Sequence, residues 1–315
     1  MTNKIAILGA GAWGTALAVQ AARTGADVML WSRKPEIVHS INAHSKNPLH
    51  LSHLILPNRI RATGDIEDVL SYEHILLAVP THSIRHVLGS AGFKERHSFI
   101  ICSKGLEVDS LKMMSEVVQD IAPQSDIAIL SGPNFAYEVA EGLPAVTSIA
   151  SQDPKYLSAV TEIFATPNFV IYKSDDVIGI QICGAVKNVI AIACGICIGG
   201  DLGENAKAAI LTQGLREASL LIGKLGGKTE TILSPAGIGD FSLTCGSRTS
   251  RNMLYGCELA TGKVTSGKLA EGISATSSID ALANKYDLEL PLLQATKRAL
   301  EDPSNATEYI SNLFI

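Results

Sequence analysis

The stretch Lys4-Ile5-Ala6-Ile7-Leu8-Gly9-Ala10-Gly11-Ala12-Trp13-Gly14 decides the fold. A short apolar run, Lys4 to Leu8, reads as a strand and passes directly into a Gly-x-Gly-x-x-Gly turn that opens a helix over roughly Ala12 to Thr24. The glycines differ in what they make possible. Gly9 permits the tight turn, Gly11 lets an anion approach the backbone, and Gly14 lets the helix lie close to the strand. Free N–H groups and the positive end of the helix then face that anion. In this context the pattern predicts a turn that holds the pyrophosphate of a dinucleotide.

Outward from that turn, apolar runs alternate with helical patterns, as in βαβ units on a parallel sheet. Val28 to Trp31, His74 to Val79, Phe99 to Cys102 and Ile127 to Leu130 read as strands, and Gly25 is placed to end the first helix. Ligands of open α/β sheets bind at the carboxyl ends of such strands. Between them, His39 to Pro57 is polar and carries His39, His44, His50 and His53; it reads as a mobile surface loop, because no cysteine or paired carboxylate accompanies the histidines as metal ligands. From Asp175 onward the strand pattern stops, and 176–200, 204–225, 250–262, 276–286 and 291–301 have helical composition. The fold class is therefore α/β, an N-terminal Rossmann-type doubly wound parallel sheet over 1–180 followed by a C-terminal all-α domain over 181–315.

Composition narrows the function. The 315 residues are 46% hydrophobic and 18% charged, enough apolar surface for two cores. The net charge of −5 supplies no positive field for nucleic acid or an anionic membrane, so a bound anion must be held locally. The six cysteines lie in apolar or Gly/Ser surroundings, and Cys194-x-x-Cys197 has no second pair, so free thiols in a reducing compartment are expected, with no zinc. The N-terminus reaches glycines before an apolar signal region forms, which makes a cytoplasmic address the expectation. Val177 to Gly200 is long and apolar enough to cross a bilayer, yet Lys187 and Asn188 stand at its middle with Gln181 nearby. A central lysine costs about 3 kcal/mol on insertion, so this segment reads as a buried helix whose lysine serves the chemistry.

Polar groups in apolar settings indicate that chemistry. The second strand ends Leu30-Trp31-Ser32-Arg33-Lys34, without the carboxylate that an NAD site sets against the ribose; Asp27 lies at the wrong end. Arg33 and Lys34 favour a 2′-phosphate, so NADP is expected over NAD. Lys104 follows a strand end in Ser103-Lys104-Gly105, Lys187 interrupts the apolar helix, and Asp240 ends Pro235-Ala236-Gly237-Ile238-Gly239. A nicotinamide enzyme that reduces a ketone needs a proton for the developing alkoxide, and a protonated Lys187 beside Asp240 can supply it. Ser250, Arg251 and Asn252 offer a hydroxyl, a guanidinium fork and an amide at a helix start, a cradle for a phosphate dianion.

The chain resembles the bacterial NAD(P)-dependent glycerol-3-phosphate dehydrogenase family along essentially its whole length. The blocks occur in order: GAGAWGTALA (9–18), CSKGLE (102–107), SGPNFAYEVA (131–140), GAVKNVIAIACGI (184–196), GENAKAAILTQGL (203–215), AGIGDFSLTC (236–245) and SRN (250–252). The resemblance implies reversible reduction of dihydroxyacetone phosphate to sn-glycerol 3-phosphate, the backbone donor for phospholipids. It implies that Trp13, Arg33 and Ala136 contact the cofactor, that Lys104 sits between cofactor and substrate, and that Gly132 meets the substrate through its backbone. It further assigns proton transfer to Lys187, a polar partner role to Asp240, and phosphate binding to Ser250, Arg251 and Asn252, with Arg251 also reaching the cofactor. Leu269 and Glu271 match positions that close over the cofactor, and a homodimer is implied. One block departs from the family: GPSFA or GPTFA reads Gly132-Pro133-Asn134-Phe135-Ala136, an amide for a hydroxyl. Two rivals differ in what they need. A hydroxyacid or ketopantoate reductase needs no phosphate cradle, and a dinucleotide-sensing regulator has no use for a lysine inside an apolar helix.

Overall fold

The computed structural model describes residues 4–93, 97–247, 249–263 and 270–314, the side chains of 270 and 271 excepted. These residues form two compact units, Met1–Ser103 with Met114–Val177, and Lys104–Met113 with Ile178–Ile315. The short segment 104–113, which the sequence reading assigned with the first 180 residues, thus belongs to the second unit. Leu106 explains the exchange: it is buried in the same apolar cluster as the helical segment from Ile182 to Cys197.

In the first unit the order is β1 (Lys4–Leu8), α1 (Ala12–Arg23), β2 (Asp27–Trp31), α2 (Pro35–His44), β3 (Ile60–Thr63), α3 (Ile66–Val69), β4 (His74–Leu77), α4 (Thr81–Ala91) and β5 (Ser98–Ile101). It continues with α5 (Met114–Ile121), β6 (Ile127–Ser131), α6 (Ala136–Glu141), β7 (Ala145–Ser151), α7 (Pro154–Phe164) and β8 (Phe169–Ser174). The eight strands lie in the order β3-β2-β1-β4-β5-β6-β7-β8, whose first six positions are those of a dinucleotide-binding sheet. Ile5, Ala6, Ile7 and Leu8 are all fully buried, as a central parallel strand covered on both faces requires.

Three features depart from the sequence reading. The sheet is parallel except where β7 runs antiparallel to β6, pairing Ala128 with Ser151 and Ser131 with Ser148. The strands β3, β7 and β8 were not foreseen: β7 is rich in Ala, Ser and Thr, and β8 has exposed Val170 and Tyr172, so neither forms the apolar run that marks the central strands. His39 and His44 lie in α2 rather than in a loop. Pro35 starts that helix, and Ile37 and Ile41, one turn apart, bury its inner face.

The second unit is helical: α8 (Val177–Gly199), α9 (Glu204–Lys224), α10 (Asp240–Gly246), α11 (Arg251–Thr261), α12 (Ala270–Lys285), α13 (Pro291–Glu301) and α14 (Ala306–Ser311). Every residue of α8 from Gly179 to Cys197 is buried, and 89% of its apolar window lies inside the protein, the packing of a core helix. Backbone meets backbone where α8 crosses α11. A Cβ on Gly195 would lie 2.1 Å from the Met253 carbonyl oxygen, and one on Gly256 would lie 2.1 Å from that of Ile192. This close crossing brings Asn188, near the middle of α8, to Asn252 in the first turn of α11.

Candidate active site

In the first unit, the glycine turn fits a dinucleotide pyrophosphate. Gly9 adopts φ +116°, and a Cβ there would lie 2.8 Å from the Ala78 carbonyl oxygen. A Cβ on Gly14 would fall 1.9 Å from the Gly9 carbonyl oxygen, so α1 can start this close to β1 only with glycine at both positions. Gly11 differs: a Cβ there would meet no protein atom within 4 Å. Protein packing therefore does not require glycine at this position, and the open space leaves room for an anion to approach the backbone. Gly11 is also the N-cap of α1 and provides no side-chain cap for the first-turn N–H groups.

The other residues assigned to this unit lie at its strand ends. Trp13 is half-buried in the first turn of α1. Arg33 and Lys34 are both exposed immediately beyond β2. Gly132 follows β6 directly, and a Cβ there would lie 2.8 Å from both Cα and Oγ1 of Thr147, so β7 itself demands glycine. Ala136 is the first residue of α6. Asn134 turns its amide inward, where Nδ2 donates to the carbonyls of Pro133 at 3.0 Å and Val146 at 2.9 Å. The departure from the family's hydroxyl thus braces the β6–α6 turn against β7.

In the second unit, Lys187, Asp240 and Lys104 form one connected group. Lys187 Nζ donates to Asp240 Oδ1 at 2.6 Å and to Thr244 Oγ1 at 3.2 Å, while Lys104 Nζ donates to Asp240 Oδ2 at 2.6 Å. Thr244, one helical turn after Asp240, donates its hydroxyl to Oδ1 at 3.1 Å. Asp240 is only 1% exposed. Burial alone would raise its carboxyl, but the two ammonium groups outweigh that and hold it below the ordinary carboxylate value. Burial lowers the Lys187 ammonium to about 8; Asp240 opposes the shift and the second ammonium, on Lys104, adds to it. One carboxylate serves two lysines, which leaves a local excess of positive charge and one proton exchangeable near neutral pH.

Ser250 is the N-cap of α11, its Oγ accepting from the Met253 N–H at 3.4 Å. That bond uses the oxygen as acceptor and leaves the hydroxyl proton able to donate to an anion. Arg251 is exposed at the first helical position. Asn252 is buried, and its Nδ2 donates to Asn188 Oδ1 at 2.9 Å, which ties the start of α11 to the residue beside Lys187. Leu269 lies outside the described residues, and Glu271 lies in α12 with its side chain outside them.

The sequence reading paired Asp240 with Lys187 and gave Lys104 a separate place; the structure hangs both lysines on one carboxylate. It missed Thr244, although the spacing of four from Asp240 inside a helical stretch was a usable signal. It also missed Asn47, which is wholly buried behind the glycine turn.

A dinucleotide-binding sheet joined to a helical unit with a buried lysine defines an NAD(P)-linked oxidoreductase of two units. Residues 4–157 match the family described as NAD-dependent glycerol-3-phosphate dehydrogenase N-terminus, and residues 176–311 match the corresponding C-terminus. The chain belongs to that family. Glycerol-3-phosphate dehydrogenase [NAD(P)+] of Parvibaculum lavamentivorans is 38% identical over 99% of this chain and 96% of its own length. The enzyme of the same name from Caulobacter vibrioides is 41% identical over 95% of this chain and 92% of its own. Among solved structures, glycerol-3-phosphate dehydrogenase from Coxiella burnetii superposes with a TM-score of 0.93 at 35% identity, covering 99% of both chains.

Proposed function

We propose that the protein catalyses the reversible NAD(P)-dependent reduction of dihydroxyacetone phosphate to sn-glycerol 3-phosphate, and so supplies the backbone of glycerophospholipids. The observation that carries this reading is the buried Lys187 ammonium, held by Asp240 and Thr244 and lowered to about 8. When bound, the reduced nicotinamide supplies a hydride to the ketone carbon. Lys187 gives its proton to the carbonyl oxygen as negative charge develops there, leaving an alcohol and a neutral amine that regains a proton from solvent. Asp240 keeps Lys187 charged in spite of burial and orients it, and the Lys104 ammonium adds positive charge for the anionic substrate.

Ser250, Arg251 and Asn252 cradle the substrate phosphate at the N-terminus of α11, and Gly132 meets the substrate through its backbone. Trp13, Ala136, Leu269 and Glu271 contact the cofactor, as does Arg251. NADP is preferred to NAD because Arg33 and Lys34 offer positive charge for a 2′-phosphate where NAD enzymes place a carboxylate. The protein is cytoplasmic, without nucleic-acid partners or membrane insertion, a reading that free thiols at all six cysteines, the net charge of −5 and the burial of α8 support, and the resemblance to the family implies a homodimer.

Loss of reduced-cofactor absorbance on adding dihydroxyacetone phosphate, with NADPH and NADH in parallel, tests the reading. Turnover with both and a higher kcat/KM for NADPH is expected; no turnover with either overturns it. Arg251→Ala separates it from a phosphate-independent reductase, because KM for dihydroxyacetone phosphate should rise about tenfold or more when a charge-assisted contact is lost.

A further inference from the structure

We infer that Asn47 is a positioning residue for the cofactor: it fixes the peptide plane between Ala10 and Gly11 so that the Gly11 N–H points at the pyrophosphate. This rests on the dinucleotide-binding reading given above. Asn47 is 0% exposed. Its Nδ2 donates to the Ala10 carbonyl at 3.0 Å and to Thr15 Oγ1 at 2.9 Å, and its Oδ1 accepts from the N–H groups of Leu49 and His50, each at 3.2 Å. Both amide hydrogens and both oxygen lone pairs are used. The orientation is fixed by these partners, since reversing the amide would set oxygen against the Ala10 carbonyl and NH₂ against two N–H groups.

The geometry of a trans peptide carries the rest. Among the described residues no peptide bond is cis, so the carbonyl of Ala10 and the N–H of Gly11 point in opposite directions. With the carbonyl drawn toward buried Asn47, the N–H is turned away from the interior, on the residue where a Cβ would meet no protein atom. Glycine on both sides of Ala10 leaves this turn with unusual backbone freedom, and a rotated peptide plane would present a carbonyl to the anion. Asn47, 37 residues along the chain, removes that freedom. Thr15 receives the other amide hydrogen, so one side chain joins the turn to the first full turn of α1.

Asn47→Asp keeps the size and the acceptor for Leu49 and His50, but sets a carboxylate oxygen against the Ala10 carbonyl. Thr15→Val removes only the second contact and leaves the Ala10 bond in place. Binding of NADPH to each purified full-length variant is read from cofactor fluorescence, beside thermal melting of the unliganded protein. Asn47→Asp is expected to weaken NADPH binding about tenfold or more, whereas Thr15→Val stays within about threefold of wild type at a similar melting temperature. In steady-state assays the loss in Asn47→Asp should fall mainly on KM for NADPH and less on kcat. Unchanged NADPH affinity in Asn47→Asp, or an equal loss in Thr15→Val, overturns the inference, because a merely structural role lowers melting without that selectivity. If Asn47→Asp does not fold, Asn47→Ser, too short to reach Ala10, is judged by the same criteria. Failure of the wild type to bind NADPH or NADH would instead reject the functional reading.

Discussion

Lys187 and Asp240 are 53 residues apart in the chain and are joined by a 2.6 Å hydrogen bond with almost no solvent around either side chain. Breaking a buried pair by deleting its acid strands a charge at a cost of about 3–5 kcal/mol. Deleting the lysine is gentler here, because Lys104 still neutralises the other carboxylate oxygen. Lys187→Met should therefore fold and, on the proposed mechanism, lack the proton donor. Its kcat is expected to fall about 10²–10⁴-fold with the NADPH dissociation constant within about threefold. Steady-state kinetics beside a cofactor titration checks this, and turnover at the wild-type rate would remove Lys187 from the chemistry.

The pH dependence follows from the same group, whose ammonium titrates at about 8. On the proposed mechanism ketone reduction needs the protonated form, so kcat/KM for dihydroxyacetone phosphate should be level below that value and decline above it. Alcohol oxidation needs the neutral amine and should rise through the same range. In Asp240→Asn the influence that raises the lysine is lost, whereas burial and Lys104, which lower it, remain. The midpoint of the reductive limb should then move to lower pH. Profiles of both enzymes between pH 6 and 10 read this directly, and a midpoint that stays fixed would dissociate Asp240 from the titration.

How far the sequence could be read depended on whether the cause was local. The glycine turn was legible because strand, turn and helix are contiguous, and the constraints on Gly9 and Gly14 arise within that unit or beside it. Lys187 was legible because a lysine in an all-buried helix is costly wherever that helix lies. Lys104 was identified as polar at a strand end, but its bond to Asp240 spans 136 residues and leaves no trace in local pattern. Asn47 was hidden for the same reason: an amide in a polar stretch reads as solvated until the fold places the Ala10 carbonyl over it. The strands β7 and β8 escaped because hydrogen bonding to neighbours, and not a run of apolar side chains, makes them strands.

On the proposed reading, cofactor choice should depend on Arg33, exposed just beyond β2. A guanidinium binds a phosphate through paired charge-assisted hydrogen bonds. Arg33→Ala should raise KM for NADPH about tenfold and leave kcat/KM for NADH within about twofold, since NADH carries no phosphate at that ribose position. The ratio of the two specificity constants is the measurement. Equal losses with both cofactors would mean that Arg33 supports the turn and does not read the phosphate.

Stability of the helical unit should depend on Glu217, a carboxylate only 3% exposed on α9. Its Oε1 accepts the Leu292 N–H at 2.7 Å and its Oε2 the Leu293 N–H at 3.1 Å. These are first-turn donors of α13, which starts at Pro291 without a side-chain cap of its own. Gln213 donates to Oε1 at 2.9 Å. Burial pushes the Glu217 carboxyl up, and the bonds from Gln213 and the two amides oppose that shift. Glu217→Ala leaves two buried N–H groups unpaired, at about 1–3 kcal/mol each, a total of about 2–6 kcal/mol against a native stability of about 5–15 kcal/mol. At about 2–4 °C per kcal/mol for a unit of this size, the melting temperature should drop by about 5 °C or more. Because Glu217 shares no hydrogen bond with Lys104, Lys187 or Asp240, kcat of the folded variant at 25 °C should stay within about twofold of wild type. Differential scanning calorimetry beside the cofactor assay separates the two effects; an unshifted melting temperature would mean that Glu217 does not support α13.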